Sequence, residues 1–243
     1  MGIHKKKQKN LKEDDPEEYG DVYSLTALKS DTRLFLCHHE GSRTSEDAME
    51  LFAMVEQMRS KSSLTPVFTS DDWDPFEEGL VNIYGILEVP PYKGVGRKPL
   101  PRLIPLEDLK YVKIEKKKVG ETVVETVQNI VFGNKKDILK MLEIEENGYI
   151  GTSYVERFNL AIRDSLARFI RKGMNFSKKM RMHTKALDLF QAWYNFVKPH
   201  DSLKIKINCG NRRWGYRTPA MAEKFTDHIW NLGELLGFRV PVK

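Results

Sequence analysis

The chain has 243 residues, 40% hydrophobic and 30% charged, with a net charge of +6, enough for one sizeable core and expected as one domain carrying an insertion. Cys37 and Cys209 are the only cysteines and form no Cys-x-x-Cys pair, which excludes a zinc ribbon and a disulfide framework. No apolar run nears the roughly 20 residues of a bilayer span and the lysine-rich start lacks the apolar core of a signal peptide, so a cytoplasmic protein with no membrane partner is expected.

A basic run at 4–9 and an acidic run at 13–21 read as a solvated connection. Asp21 to Leu28 and Leu34 to His39 are β-prone and flank a short turn, which predicts an antiparallel hairpin. Ser45 is expected to cap a helix with Ala48, Leu51, Phe52, Val55 and Met58 on its apolar stripe, and a crossover then leads to a strand around Pro66 to Ser70. A hairpin, a helix and another strand in this order predict an α/β fold with one mixed sheet flanked by helices, whose active site gathers at strand ends. At that strand end stands SDDWDPFEE, where Asp74, Pro75 and Glu77 read as a helix start capped by Asp74. Asp71 and Asp72 have no capping role and are either turn residues or chemistry.

Pro90 to Pro105 is dense in proline, glycine and cations and reads as an irregular loop; its Gly94-Val95-Gly96 lacks the strand-to-helix setting of a dinucleotide site. Lys110 to Lys118 and Thr122 to Phe132 predict a β-hairpin with a solvated lysine face, inside an insertion spanning approximately 86–150.

Tyr154 to Arg181 is the most distinctive stretch. Arg157, Arg163, Arg168, Arg171, Lys172, Lys178, Lys179 and Arg181 face the single acid Asp164 after Glu156. Val155, Phe158, Ile162, Leu166 and Phe169 recur at helical spacing, and Glu156, Asn159 and Arg163 share the margin of that stripe. Two readings stay open. Ser153 and Glu156 form a capping box beside a solvated cationic face, or Glu156 ligates a metal while the cations hold a phosphodiester backbone. A second helix is expected over His183 to Val197, ended by Pro199. His183, His200 and His228 show neither His-x-x-His spacing nor an acid at a diagnostic offset and read as structural or surface residues, and approximately 215–243 reads as a helical tail.

The segments SDDW, TSYVERFNLAIR, RFIRKGMNFSKK, YNFVKPHDSL and TPAMAEKFTDHIW together resemble the transposases of the insertion-sequence-one family over essentially the whole chain. The resemblance implies an RNase H-like fold and DDE chemistry, in which three acids hold two Mg²⁺ or Mn²⁺ ions for DNA strand cleavage and transfer. The second acid falls on Asp71, with Asp72 where the family usually has glycine, and the third on Glu156. Arg157, Asn159, Arg163, Arg168, Arg171, Lys172, Lys178 and Lys179 become the expected DNA contacts, and the implied partners are the element's terminal repeats, target DNA and further copies of the chain. The family's first acid lies on an opening strand just upstream of the turn that corresponds to Ile3 to Asn10, so it is expected to be missing here and strand transfer to be inefficient, Asp21 being a poorly placed replacement. A DNA-binding remnant without catalysis, and a structure-specific nuclease on the same fold, are the competing readings.

Overall fold

An antiparallel meander opens the computed structural model, which describes residues 2–4, 10, 12–16, 19–60, 64–92, 94, 96–120, 122–145, 148–170, 174–209 and 212–239. The chain divides into two compact units, residues 1–42 with 154–243, and residues 43–153. In the first unit β1 (Gly2–His4) pairs with β2 (Gly20–Leu28), and β2 with β3 (Phe35–Gly41). The β2–β3 turn closes with Lys29 N–H donating to the Leu34 carbonyl at 2.9 Å, and it holds Arg33 at a left-handed φ of 60°. Asp21 lies opposite Ile3 on β1.

The second unit begins with α1 (Ser45–Met58). Its cap is Thr44, not the expected Ser45: Thr44 and Asp47 form a reciprocal capping box, while the Ser45 hydroxyl donates to Glu78 at 2.6 Å. β4 (Val67–Asp71) leads into α2 (Asp74–Ile83), followed by β5 (Gly85–Glu88), β6 (Arg102–Pro105), β7 (Lys110–Val119), β8 (Thr122–Phe132) and α3 (Lys135–Met141). β4 runs parallel to β7, and β7 antiparallel to β8, giving a mixed three-stranded sheet. The mixed sheet is therefore made with the inserted hairpin, whereas the sequence led us to expect β4 beside the β2–β3 hairpin. Alternation along β7 divides the core between two faces. Tyr111 packs with Phe52, Leu80, Tyr84 and Leu109, against α1 and α2, while Val112 and Ile114 pack with Ile138 and Leu139 of α3. The two helices approach closely at Gly79, where a Cβ would meet the Ala48 backbone at 3.1 Å. The stretch Pro90 to Pro105, read as an irregular loop, ends instead in a strand: Arg102–Pro105 form β6, which pairs with β5 with Ile86 opposite Ile104.

The first unit resumes with α4 (Ser153–Ser165), a 3-10 turn at Ala167–Phe169, α5 (Met180–Phe196), β9 (His200–Cys209), β10 (Arg212–Arg217), α6 (Pro219–Ala222) and α7 (Leu232–Gly237). The apolar stripe of α4 does not continue as one helix to Phe169. Leu166 is extended, at φ −119° and ψ 104°, and the 3-10 turn then returns Phe169 to the same core. That core joins Phe35 of β3, Phe158 and Ile162 of α4, Phe169, and Leu187, Phe190 and Tyr194 of α5. The edge of β3 is satisfied by side chains of α5: Asn195 accepts from the Phe35 N–H and donates to its carbonyl, both at 2.9 Å, and Gln191 donates to the Phe35 and Leu36 carbonyls. The β9–β10 hairpin and α3 were not anticipated from sequence. Among the described residues no sheet closes into a barrel, and no helix is long and apolar enough to cross a membrane.

Candidate functional site

In the second unit Asp71 is the last residue of β4 and is exposed. Its backbone is held by a short relay, in which the Ser70 hydroxyl donates to the Asp71 carbonyl at 2.7 Å while pairing with the Tyr111 hydroxyl at 2.7 Å. The Trp73 N–H also donates to the Asp71 carbonyl, at 2.9 Å, so the chain turns sharply out of the strand. Burial pushes the Tyr111 hydroxyl up to about 12, which keeps it protonated as a donor in this relay.

Beside this strand end lies an arrangement that the sequence did not disclose. Lys113, expected on a solvated face, is buried on the Tyr111 side of β7, with its ammonium 2.9 Å from Asp74, 3.0 Å from Glu77 and 3.9 Å from Asp72. Parallel pairing sets Lys113 opposite Ser70, one residue before Asp71, and so delivers its side chain to the start of α2. Burial opposes the charge, but the bonds to Asp74 and Glu77 outweigh it and raise the pKa of Lys113. This corrects the capping assignment for Asp74. The cap position of α2 is Trp73, which makes no side-chain capping bond, and Asp74 spends its carboxylate on the buried ammonium. Asp72 belongs to the same group.

In the first unit Glu156 is exposed in the first turn of α4. Ser153 is the first residue of that helix. Of the expected DNA contacts, Arg157, Lys178 and Lys179 are exposed. Arg163 is half-buried, and Arg168 donates to the Met182 carbonyl at 2.7 Å, tying the 3-10 turn to α5. Asn159 accepts from Thr26 on β2 at 3.4 Å. Arg171 and Lys172 lie outside the described residues.

The sequence reading missed a group of cations near this helix. The Arg33 guanidinium stacks on the Tyr154 ring at 3.3 Å and its Nε lies 3.5 Å from the Ser202 hydroxyl. Burial, then Arg33 and Lys198, lower the pKa of His200, Asp201 opposes them, and Arg157 adds a smaller lowering. His200 is half-buried, with the Tyr194 ring 6.2 Å away. His183 is buried, stacked on Phe169 at 4.2 Å and bonded to Ser177 at 2.7 Å. His228 is exposed, as the surface reading expects, and Asp227 at 2.6 Å and Glu234 at 3.3 Å flank it and raise its pKa.

Asp71 and Glu156 thus belong to different units. Among the described residues no three His, Cys, Asp or Glu side chains are grouped to hold a metal ion. Comparison with protein-family models, with curated proteins and with solved structures returns no match.

Proposed function

We propose that this chain is the catalytic region of a DNA transposase of the insertion-sequence-one kind, with an RNase H-like arrangement of its sheet, acting with Mg²⁺ or Mn²⁺ on the ends of its element and on target DNA as a homo-oligomer. The observation that carries this reading is that both motif acids are exposed carboxylates at element boundaries, Asp71 ending β4 and Glu156 in the first turn of α4. Carboxylates are the oxygen ligands that hard divalent cations prefer, so the donor chemistry fits the metal that the motifs imply. Asp71 and Glu156 would be ligands to such ions, which would supply activation of the attacking oxygen and stabilisation of the leaving one in phosphoryl transfer.

The chain's own residues supply the rest. Ser70 and Tyr111 fix the backbone that presents Asp71. Arg157, Lys178 and Lys179, exposed and cationic, contact phosphates without reading base sequence.

A second reading, the DNA-binding remnant without catalysis, draws on one observation: the acids nearest Asp71 are engaged by the Lys113 ammonium. Nicking of a supercoiled plasmid carrying element-end DNA, with Mg²⁺ and with a chelator, separates the two. The transposase reading expects metal-dependent nicks from the unsubstituted chain and none from Asp71→Asn or Glu156→Gln. Plasmid binding with no metal-dependent nicking would decide for the remnant.

A further inference from the structure

The β9–β10 ribbon carries an aromatic and cationic group apart from the acids and the helix discussed above. On one side the Trp214 ring has the Lys204 ammonium 5.3 Å, the Lys206 ammonium 5.8 Å and the Arg213 guanidinium 5.8 Å from its centroid. Lys204 and Lys206 are two residues apart on β9 and so share a face, and Trp214 lies directly opposite Lys206. Arg213 joins them because the register shifts between Arg212 and Trp214, and such a bulge re-aims side chains that regular alternation would send to opposite faces.

On the opposite side of the ribbon Ile205, Ile207 and Gly215 line a groove of about 800 Å³ with Met221 and Phe225, alongside the charged Arg217, Lys224 and Asp227. A Cβ on Gly215 would meet the Ile207 side chain at 2.9 Å, so glycine is what lets the two strands pack on this side. The ribbon therefore has a fixed orientation, and its cations are turned outward and exposed.

Three like charges gathered round one ring repel one another. Among the described residues none of the three makes an ion pair. The indole accounts for part of the arrangement, since a cation within about 6 Å of an aromatic face is attracted to it. It does not neutralise three. A ligand that offers a planar ring together with flanking negative charge would satisfy both components at once, and an unpaired nucleotide does so, with its base against the half-buried indole and its phosphates against Lys204, Lys206 and Arg213. In a duplex the base faces are stacked on one another and closed to the indole.

We propose that the β9–β10 ribbon is a binding site for single-stranded DNA, with Trp214 as the stacking platform and Lys204, Lys206 and Arg213 as its phosphate contacts. The choice of DNA as the polymer rests on the transposase reading, and the ribbon's own geometry selects the unpaired strand.

The test uses the full chain, with fluorescein-labelled oligothymidylate and a labelled duplex of the same length, followed by anisotropy across a salt series. Trp214→Ala should weaken oligothymidylate binding about 10-fold or more and change duplex binding by less than about 2-fold. Trp214→Phe, which keeps a ring, should recover most of the loss. Lys204→Ala with Lys206→Ala should flatten the salt dependence of single-strand binding. Circular dichroism and the urea midpoint show whether each variant is folded, and Trp214→Phe is the variant to read if Trp214→Ala is not. A folded Trp214→Ala chain that binds oligothymidylate as the unsubstituted chain does, an equal loss for duplex and single strand, or a Trp214→Phe chain that binds as the unsubstituted one does in its fold but no better than Trp214→Ala, would overturn the proposal. Failure here alongside metal-dependent plasmid nicking leaves the transposase reading standing. Trp214-dependent single-strand binding without any nicking removes the enzymatic reading and keeps the ribbon site.

Discussion

Replacing Lys113 by methionine isolates the electrostatic group beside Asp71. Methionine keeps most of the apolar stem, so the packing against Tyr111 survives and the ammonium alone is removed. The Lys113 side chain is 9% exposed, whereas Asp74 is 93%, Glu77 42% and Asp72 46% exposed. That asymmetry sets the size of the effect. Breaking a fully buried ion pair by removing one partner costs about 3–5 kcal/mol, because the other charge is left without water. Here the abandoned charges are carboxylates that water reaches, so most of that penalty is absent and screening weakens what remains. We expect Lys113→Met to lower stability by about 2 kcal/mol, the scale of one charge-assisted hydrogen bond with part of a second. Urea unfolding measures it, as a lower midpoint with an unchanged slope. The pH dependence follows from the sign of the shift. The folded pKa of Lys113 is raised above the unfolded value near 10.4, so its contribution is complete below that pH and is lost as pH rises through the folded value. The difference between the two proteins should therefore be constant through neutral pH and shrink in strong alkali, where the ammonium is lost. A Lys113→Met chain within about 0.5 kcal/mol of the unsubstituted one at neutral pH would refute this reasoning, since that is the scatter of ordinary surface substitutions.

Two further outcomes follow from the first unit. Burial raises the pKa of Glu40, but its bond to the buried His38 ring at 2.7 Å reverses that and holds it below the usual carboxylate range. A depressed carboxylate stabilises the fold above its unfolded pKa, about 4.3, and loses that contribution as pH falls through the folded value, so Glu40→Gln should flatten the decline of the urea midpoint between about pH 5 and about pH 3; an unchanged decline would contradict it. Asn195→Ala leaves the Phe35 N–H without its acceptor at a buried strand edge while Gln191 still serves the carbonyl, and should cost about 2 kcal/mol in the same assay, whereas a neutral effect would contradict that role.

Local signals were legible wherever one residue pattern decides one element. The alternation of the lysine-rich hairpin and its Gly120, at φ 64°, located β7 and β8, and the stripe of Phe158 and Ile162 located the buried side of α4. The β9–β10 ribbon has a local signal too, in the period-two alternation Lys204-Ile205-Lys206-Ile207. Lys113 was not legible. Nothing local distinguishes it from Lys116 or Lys117, and its burial comes from parallel pairing with a strand some 40 residues earlier, at Val67–Asp71. Arg33 and His200 became neighbours of Arg157 in the same way, through contacts that spacing along the chain does not encode.

Binding of Mn²⁺, followed by electron paramagnetic resonance, tests most directly whether Asp71 and Glu156 are metal ligands. If they are, Asp71→Asn and Glu156→Gln should each weaken Mn²⁺ binding by at least about 10-fold. Single variants that bind Mn²⁺ as the unsubstituted chain does would contradict the account.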